Sequence, residues 1–145
     1  MESNILKATI DDIPAISQLL KETNLPPDDL ERWIDNFFVL TIESKIAGCI
    51  GLEQWDVAGL LRSFVVSEKY RSRGLGIRLY TELIALAKEM NLSSIILLAM
   101  EASDFFEKNG FKFINRSEAP ESVNNSVQFK LDECKAYSVM KLDLN

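Results

Sequence analysis

The sequence predicts one mixed α/β domain (α+β), built on a sheet that is largely antiparallel at first. Three observations predict it. β-rich runs recur along the chain, bounded by turn residues. They are separated by stretches with apolar residues at helical spacing, in the order strand, two helices, three strands, helix, strand, helix, two strands. One strand–turn–helix–strand passage is a β-α-β crossover built around a Gly-rich turn. At 145 residues, 47% hydrophobic and 26% charged, the chain is long enough to bury a real core as a single domain over residues 1–145.

Ile5 to Ile10 reads as the first strand. Asp11 or Asp12 caps a helix with Pro14 in its first turn and Ile13, Ile16, Leu19 and Leu20 on one face. Asn24 to Pro27 breaks it, and Asp28 to Asn36 forms a second short helix whose carboxylates suit a helix N-terminus. Phe37 to Ile42 and Lys45 to Trp55 form a hairpin around Glu43-Ser44, and Ala58 to Val66 is the next strand. The helix from Gly74 to Met90 carries Leu75, Leu79, Leu83, Leu86, Ala87 and Met90 at helical spacing. Ser94 to Ala99 is a buried-type strand, Glu101 to Asn109 a short helix ended by Gly110, and Phe111 to Ile114 a strand. Arg116 to Lys130 is read as irregular, and Ala136 to Leu142 as the closing strand.

Composition excludes several chemistries. The net charge of −6 argues against nucleic acid as a partner, because that binding rests on neutralising phosphate. It also sets off the local basic group Lys69, Arg71, Arg73 and Arg78. The absence of histidine excludes a Ser-His-Asp triad and a histidine-ligated zinc site, and Cys49 and Cys134 are too few for a metal site or a disulfide framework. The longest apolar run, Ile95 to Met100, is far below spanning length, and no signal peptide is visible. The expectation is a cytoplasmic protein without a membrane partner.

The segment Leu60 to Ile77 is the most informative. A strand ends at Val66, and a polar turn delivers Arg71-Ser72-Arg73-Gly74-Leu75-Gly76 onto the long helix. Helix N-terminal amides without intrahelical partners, glycines that allow close approach and two arginines make a cradle for a phosphorylated ligand. Taken alone, the turn also fits plain helix packing. The Rossmann and P-loop forms are absent.

Val66, Arg71, Gly74 and Gly76 match in order the Arg/Gln-x-x-Gly-x-Gly/Ala motif of the GNAT superfamily of N-acetyltransferases, which this chain resembles. Phe105-Phe106-Glu107-Lys108-Asn109-Gly110-Phe111 resembles the family's second signature. The resemblance implies a GNAT-type mixed, largely antiparallel twisted sheet of about seven strands flanked by about four helices. It implies acetyl-CoA as co-substrate and no metal. The pyrophosphate would lie on Arg71, Ser72, Arg73, Gly74, Leu75, Gly76 and Ile77, the pantetheine arm along Phe64, Val65 and Val66, and Phe106 at the cofactor. Within the family the C-terminal half looks most like the arsenic-resistance N-acetyltransferases, on Leu60 to Ser63, Phe105-Phe106, Glu118-Ala119-Pro120 and Val123 to Phe129. It departs from that group at Lys135 and Tyr137-Ser138. The implied acceptor is a small-molecule amine, an amino acid or an amino-acid-like toxic analogue.

Acetyl transfer needs a neutral amine. One with pKa of about 10 is roughly one-thousandth neutral at pH 7, equivalent to about 4 kcal/mol of barrier. Glu53 is the candidate base, directly or through water, because strand alternation puts its carboxylate on the small-residue face of Cys49 and Gly51. Its alternative is a solvated place at the strand end. Phe106 stands where the family's tyrosine acid is usual, which leaves Tyr137, Ser103 or solvent to protonate the thiolate. Arg62 interrupts an apolar strand, either as a clamp for an acceptor carboxylate or phosphinate or in an internal ion pair. Asn124, Ser126 and Gln128 line the acceptor side or a polar loop, Cys134 lacks an activating base, and Trp33 and Trp55 are core. Competing readings are a non-catalytic CoA-binding module and an enzyme that acetylates a protein terminus or lysine. The C-terminal strand offers a route to a homodimer that no residue fixes.

Overall fold

Left-handed residues at the chain reversals decide where the elements end. The computed structural model describes residues 2–99 and 103–145. Its helices are α1 (Ile13–Glu22), α2 (Leu30–Trp33), α3 (Leu75–Glu89), α4 (Ser103–Lys108) and α5 (Val127–Lys130). Its strands are β1 (Ser3–Lys7), β2 (Phe37–Ile42), β3 (Lys45–Trp55), β4 (Ala58–Val66), β5 (Ser94–Ala99), β6 (Lys112–Ile114) and β7 (Ser138–Asp143). Asn24, Asn91 and Gly110 have φ of 60°, 59° and 95°. The next residue's N–H then returns to the helix: Leu25 to Leu20 O, Leu92 to Ala87 O and Phe111 to Phe106 O, at 2.8, 3.1 and 3.0 Å. This is the Schellman arrangement, and it ends α1, α3 and α4 alike. Glu43 and Ser44, both at positive φ, make the tight β2–β3 turn that the sequence places there.

The strands join in the order β1-β2-β3-β4-β5-β7-β6, a mixed, mostly antiparallel seven-stranded sheet as expected. The chain divides into two compact units, Met1–Leu52 with Ser63–Leu86 and Glu53–Arg62 with Ala87–Asn145. In the first, β1 pairs with β2 from Ser3↔Ile42 to Lys7↔Phe38, and β2 with β3 from Phe37↔Gly51, with a register shift after Leu40. Ile16, Leu20, Leu30, Phe37, Val39, Cys49 and Val65 share its core. In the second, β4 runs parallel to β5 over Ala58↔Ser94 to Leu60↔Ile96, and β5 pairs with β7 along all six residues. Among the described residues, no helix is long and apolar enough to cross a membrane.

Three expectations need correction. The first strand ends at Lys7, not Ile10, because Thr9 N–H turns to the Asp12 carboxylate at 2.8 Å and leaves Ile10 68% exposed. The second helix is only α2, entered through left-handed Asp29 and followed by a 3-10 turn at Ile34–Asn36. Residues 116–130 form two 3-10 turns and α5 rather than irregular chain, and a further 3-10 turn follows at Asp132–Cys134. Arg116 staples them, its Nη2 donating to Cys134 O at 2.9 Å and its guanidinium lying 4.8 Å from the Phe129 ring centroid. In the sheet order β7 lies between β5 and β6, paired with β5 over six residues and with β6 over three. The part of the expected fourth helix at 101–102 lies outside the described residues.

Candidate active site

Two groups of predicted site residues assemble, one in each unit. In the first unit, β4 ends at Val66 and a 3-10 turn, Glu68–Tyr70, leads to the exposed residues Arg71 to Gly74. Buried Leu75 anchors the start of α3, and Leu79 and Leu83 continue its apolar face. Gly74 has φ 74°, a conformation that a side chain would strain although the space around it is open. Arg78 N–H returns to Gly74 O, so the amides of the preceding turn have no partner within the helix. Those amides sit at the positive end of the helix dipole, which favours an anion.

The arginines of this turn have different surroundings. Arg71 Nε donates to Val66 O at 2.8 Å, tying the cradle back to the strand end. The guanidinium of Arg73 and the ammonium of Lys69 lie 5.8 and 5.1 Å from the Tyr70 ring centroid. The expected cofactor residues Phe64 to Val66 and Arg71 to Ile77 thus belong to one unit. Phe106 belongs to the other, where its ring packs edge-on between Phe105 and Phe111 at 5.3 and 5.4 Å.

In the second unit Glu53 is fully buried and both its oxygens are engaged. Trp55 Nε1 donates to Oε1 at 2.8 Å, and Arg62 Nη1 donates to Oε2 at 2.9 Å. The solvated alternative for Glu53 therefore does not hold, and Arg62 has the internal ion pair as its partner. Ser122 Oγ donates to Trp55 O at 3.2 Å, which fastens the 116–135 segment to this cluster. Ser126 Oγ accepts from Gln128 N–H and caps α5. Gln128 is 7% exposed, and its Nε2 is a buried donor with no hydrogen-bond partner among the described residues. Tyr137 is half-buried, Ser103 likewise, Asn124 is exposed, and the Cys134 thiol is buried.

Sequence reasoning missed Trp55 as a polar partner. Its signal was the i, i+2 spacing that puts Glu53 and Trp55 on one strand face. The face itself is not an open cleft beside Gly51, because the Phe37 ring fills the space a side chain there would need. Among the described residues no group of three His, Cys, Asp or Glu side chains could hold a metal ion.

Residues 33–113 match the acetyltransferase (GNAT) domain family, and the chain belongs to it. An amino-acid acetyltransferase of Salmonella arizonae is 28% identical over 141 residues, 90% of this chain and 32% of that protein. An N-acetylglutamate synthase from Neisseria gonorrhoeae, complexed with coenzyme A and N-acetyl-glutamate, superposes with a TM-score of 0.84 at 23% identity over 100% of this chain and 36% of that one. A GNAT acetyltransferase from Staphylococcus aureus Mu50 gives 0.83 at 21% identity over 99% and 100%. The chain spans less than two thirds of the length of the curated relatives it matches first.

Proposed function

We propose that the chain is a single acetyl-CoA-dependent N-acetyltransferase domain that acetylates the amine of an amino acid or an amino-acid-like analogue. The observation that carries the reading is the Arg71–Gly76 turn at the N-terminus of α3, exposed from Arg71 to Gly74 and tied to the strand end through Arg71 and Val66. The turn receives the pyrophosphate, and the end of β4 pairs with the pantetheine arm. The acceptor class draws support from the amino-acid acetyltransferase and N-acetylglutamate synthase relatives. The likeness of the C-terminal half to arsenic-resistance enzymes adds phosphinate and arsenic analogues of glutamate to the acceptors worth testing.

In this reading the acceptor nitrogen attacks the thioester carbonyl, the C–S bond breaks, and coenzyme A leaves as thiolate. Glu53, fully buried, takes the amine proton through water on the lone pairs left beside its Trp55 and Arg62 bonds. Arg62 holds that carboxylate in place, so an acceptor carboxylate would have to share its guanidinium with Glu53. The unpartnered Gln128 Nε2, with Ser126 capping its helix, supplies a donor for acceptor oxygens. Tyr137 or solvent returns a proton to the thiolate.

A non-catalytic CoA-binding module is the second reading, favoured by Phe106 in the tyrosine's place and by the doubly engaged Glu53. Thiol release from acetyl-CoA across a panel of amino acids separates the two. Release with an amino-acid acceptor supports the enzyme, whereas CoA binding without release supports the module. Release only with peptide substrates would indicate a protein acetyltransferase.

A further inference from the structure

Ser63 is a buried residue inside β4, yet its φ is 59°. A left-handed serine within a strand is strained and persists only where its surroundings hold it. One holder is Cys49, fully buried on β3, whose Sγ–H donates to Ser63 O at 3.1 Å. Beyond the kink, Val65 O approaches Gly48 so closely that a Cβ there would lie 2.8 Å from it. Ser67 N–H then donates to Ala47 O at 2.7 Å. The segment from Ser63 to Ser67 therefore runs along β3 from Cys49 to Ala47. Its far end joins the cradle, because Val66 O accepts from Arg71 Nε.

We propose that Cys49 is a positioning residue for acetyl-CoA: its thiol holds the left-handed turn of Ser63, and that turn sets the direction in which Phe64 to Val66 present their backbone to the ligand. The inference rests on the reading of this strand end as the acetyl-CoA site. A thiol suits the task because Cys49 sits among Ile16, Leu20, Phe37 and Val39, where it packs as a small hydrophobe and still donates. Cys49→Ser keeps a donor. Cys49→Ala removes it. Ser63→Gly makes the same φ unstrained, so glycine relieves the need for the thiol.

The test is coenzyme A binding by calorimetry, with acetyl-CoA and acceptor KM measured alongside, on wild type, Cys49→Ala, Cys49→Ser and the Cys49→Ala/Ser63→Gly double variant. Cys49→Ala is expected to weaken coenzyme A binding about tenfold and raise acetyl-CoA KM in parallel, with acceptor KM unchanged. Cys49→Ser and the double variant return to within about threefold of wild type. A purely structural role would lower Tm in Cys49→Ala and leave coenzyme A affinity of the folded protein unchanged, and that result overturns the proposal. So does a double variant that binds no better than Cys49→Ala. If wild type itself binds no coenzyme A, the assignment of the donor site fails first and the inference falls with it.

Discussion

Glu53 and Arg62 form an ion pair at 2.9 Å with side-chain exposures of 0% and 1%. Desolvating two charges is costly, so such a pair behaves asymmetrically under substitution. Removing one partner by Glu53→Leu or Arg62→Met leaves a buried charge and is expected to cost about 3–5 kcal/mol. Replacing both with apolar residues of similar size should restore most of that stability. Urea unfolding of the two single variants and the double variant measures the difference. A double variant as unstable as the sum of the singles would remove the pair from the account of the core.

Glu53→Gln tests the proton-accepting role separately. Loss of a general base is expected to lower kcat by about 10²–10⁴-fold. A kcat matching wild type would exclude that role. Arg62→Ala is expected to raise acceptor KM with acetyl-CoA KM unchanged if the guanidinium is shared with the acceptor, and the reverse pattern would sink the clamp.

Arg71 bridges strand and cradle through Val66 O. Hydrogen bonds from charged groups contribute about 1.5–3 kcal/mol, so Arg71→Ala is expected to raise acetyl-CoA KM about 10–100-fold with kcat nearly unchanged. Arg71→Lys should fall between, because one ammonium lacks the forked geometry to serve both a carbonyl and a phosphate. A fall in kcat at constant KM would contradict this placement.

The two glycines of the turn should respond in opposite ways. At Gly74 the positive φ makes alanine destabilising by more than about 1 kcal/mol. At Gly76 a Cβ would meet Phe64 and Val66 at no closer than 3.7 Å, ordinary contact, so Gly76→Ala should stabilise α3 by about 0.5–1 kcal/mol. Thermal unfolding of both variants checks the signs.

Burial pushes the Tyr80 hydroxyl above its ordinary pKa of 10.0. The unfolded chain therefore loses that proton first, and the contribution is complete below about pH 10 and lost as pH rises through the folded value. Urea unfolding at pH 8 and 10.5 should show a smaller alkaline loss in Tyr80→Phe than in wild type. Equal losses would contradict the assignment.

Elements with strong local signals were legible in the sequence. Alternation and turn residues gave β2 to β4 and their hairpin, and helical spacing with Asn91 and Gly110 placed the ends of α3 and α4. The glycine-containing turn before α3 was legible because its residues are adjacent in the chain. What escaped depends on distant partners or short-range capping. Ser63's left-handed turn has no signal in an apolar strand, and Arg116 acts through carbonyls 13 and 18 residues away. Ordering of 116–135 was missed although Asn115 and Glu118 carry a capping signal, with Asn115 N–H donating to the Glu118 carboxylate at 2.8 Å. The Glu53–Arg62 pair was half visible, since alternation placed the residues but could not choose between a solvated base, a clamp and an ion pair.

The most direct measurement of the central claim is thiol release from acetyl-CoA by the wild-type chain, across a panel that includes glutamate and its phosphinate and arsenic analogues. The predicted result is saturable release with at least one amino-acid-like acceptor, reduced by Arg71→Ala through acetyl-CoA KM. Coenzyme A binding with no release across the panel would contradict the catalytic assignment, and no coenzyme A binding would contradict the cradle itself.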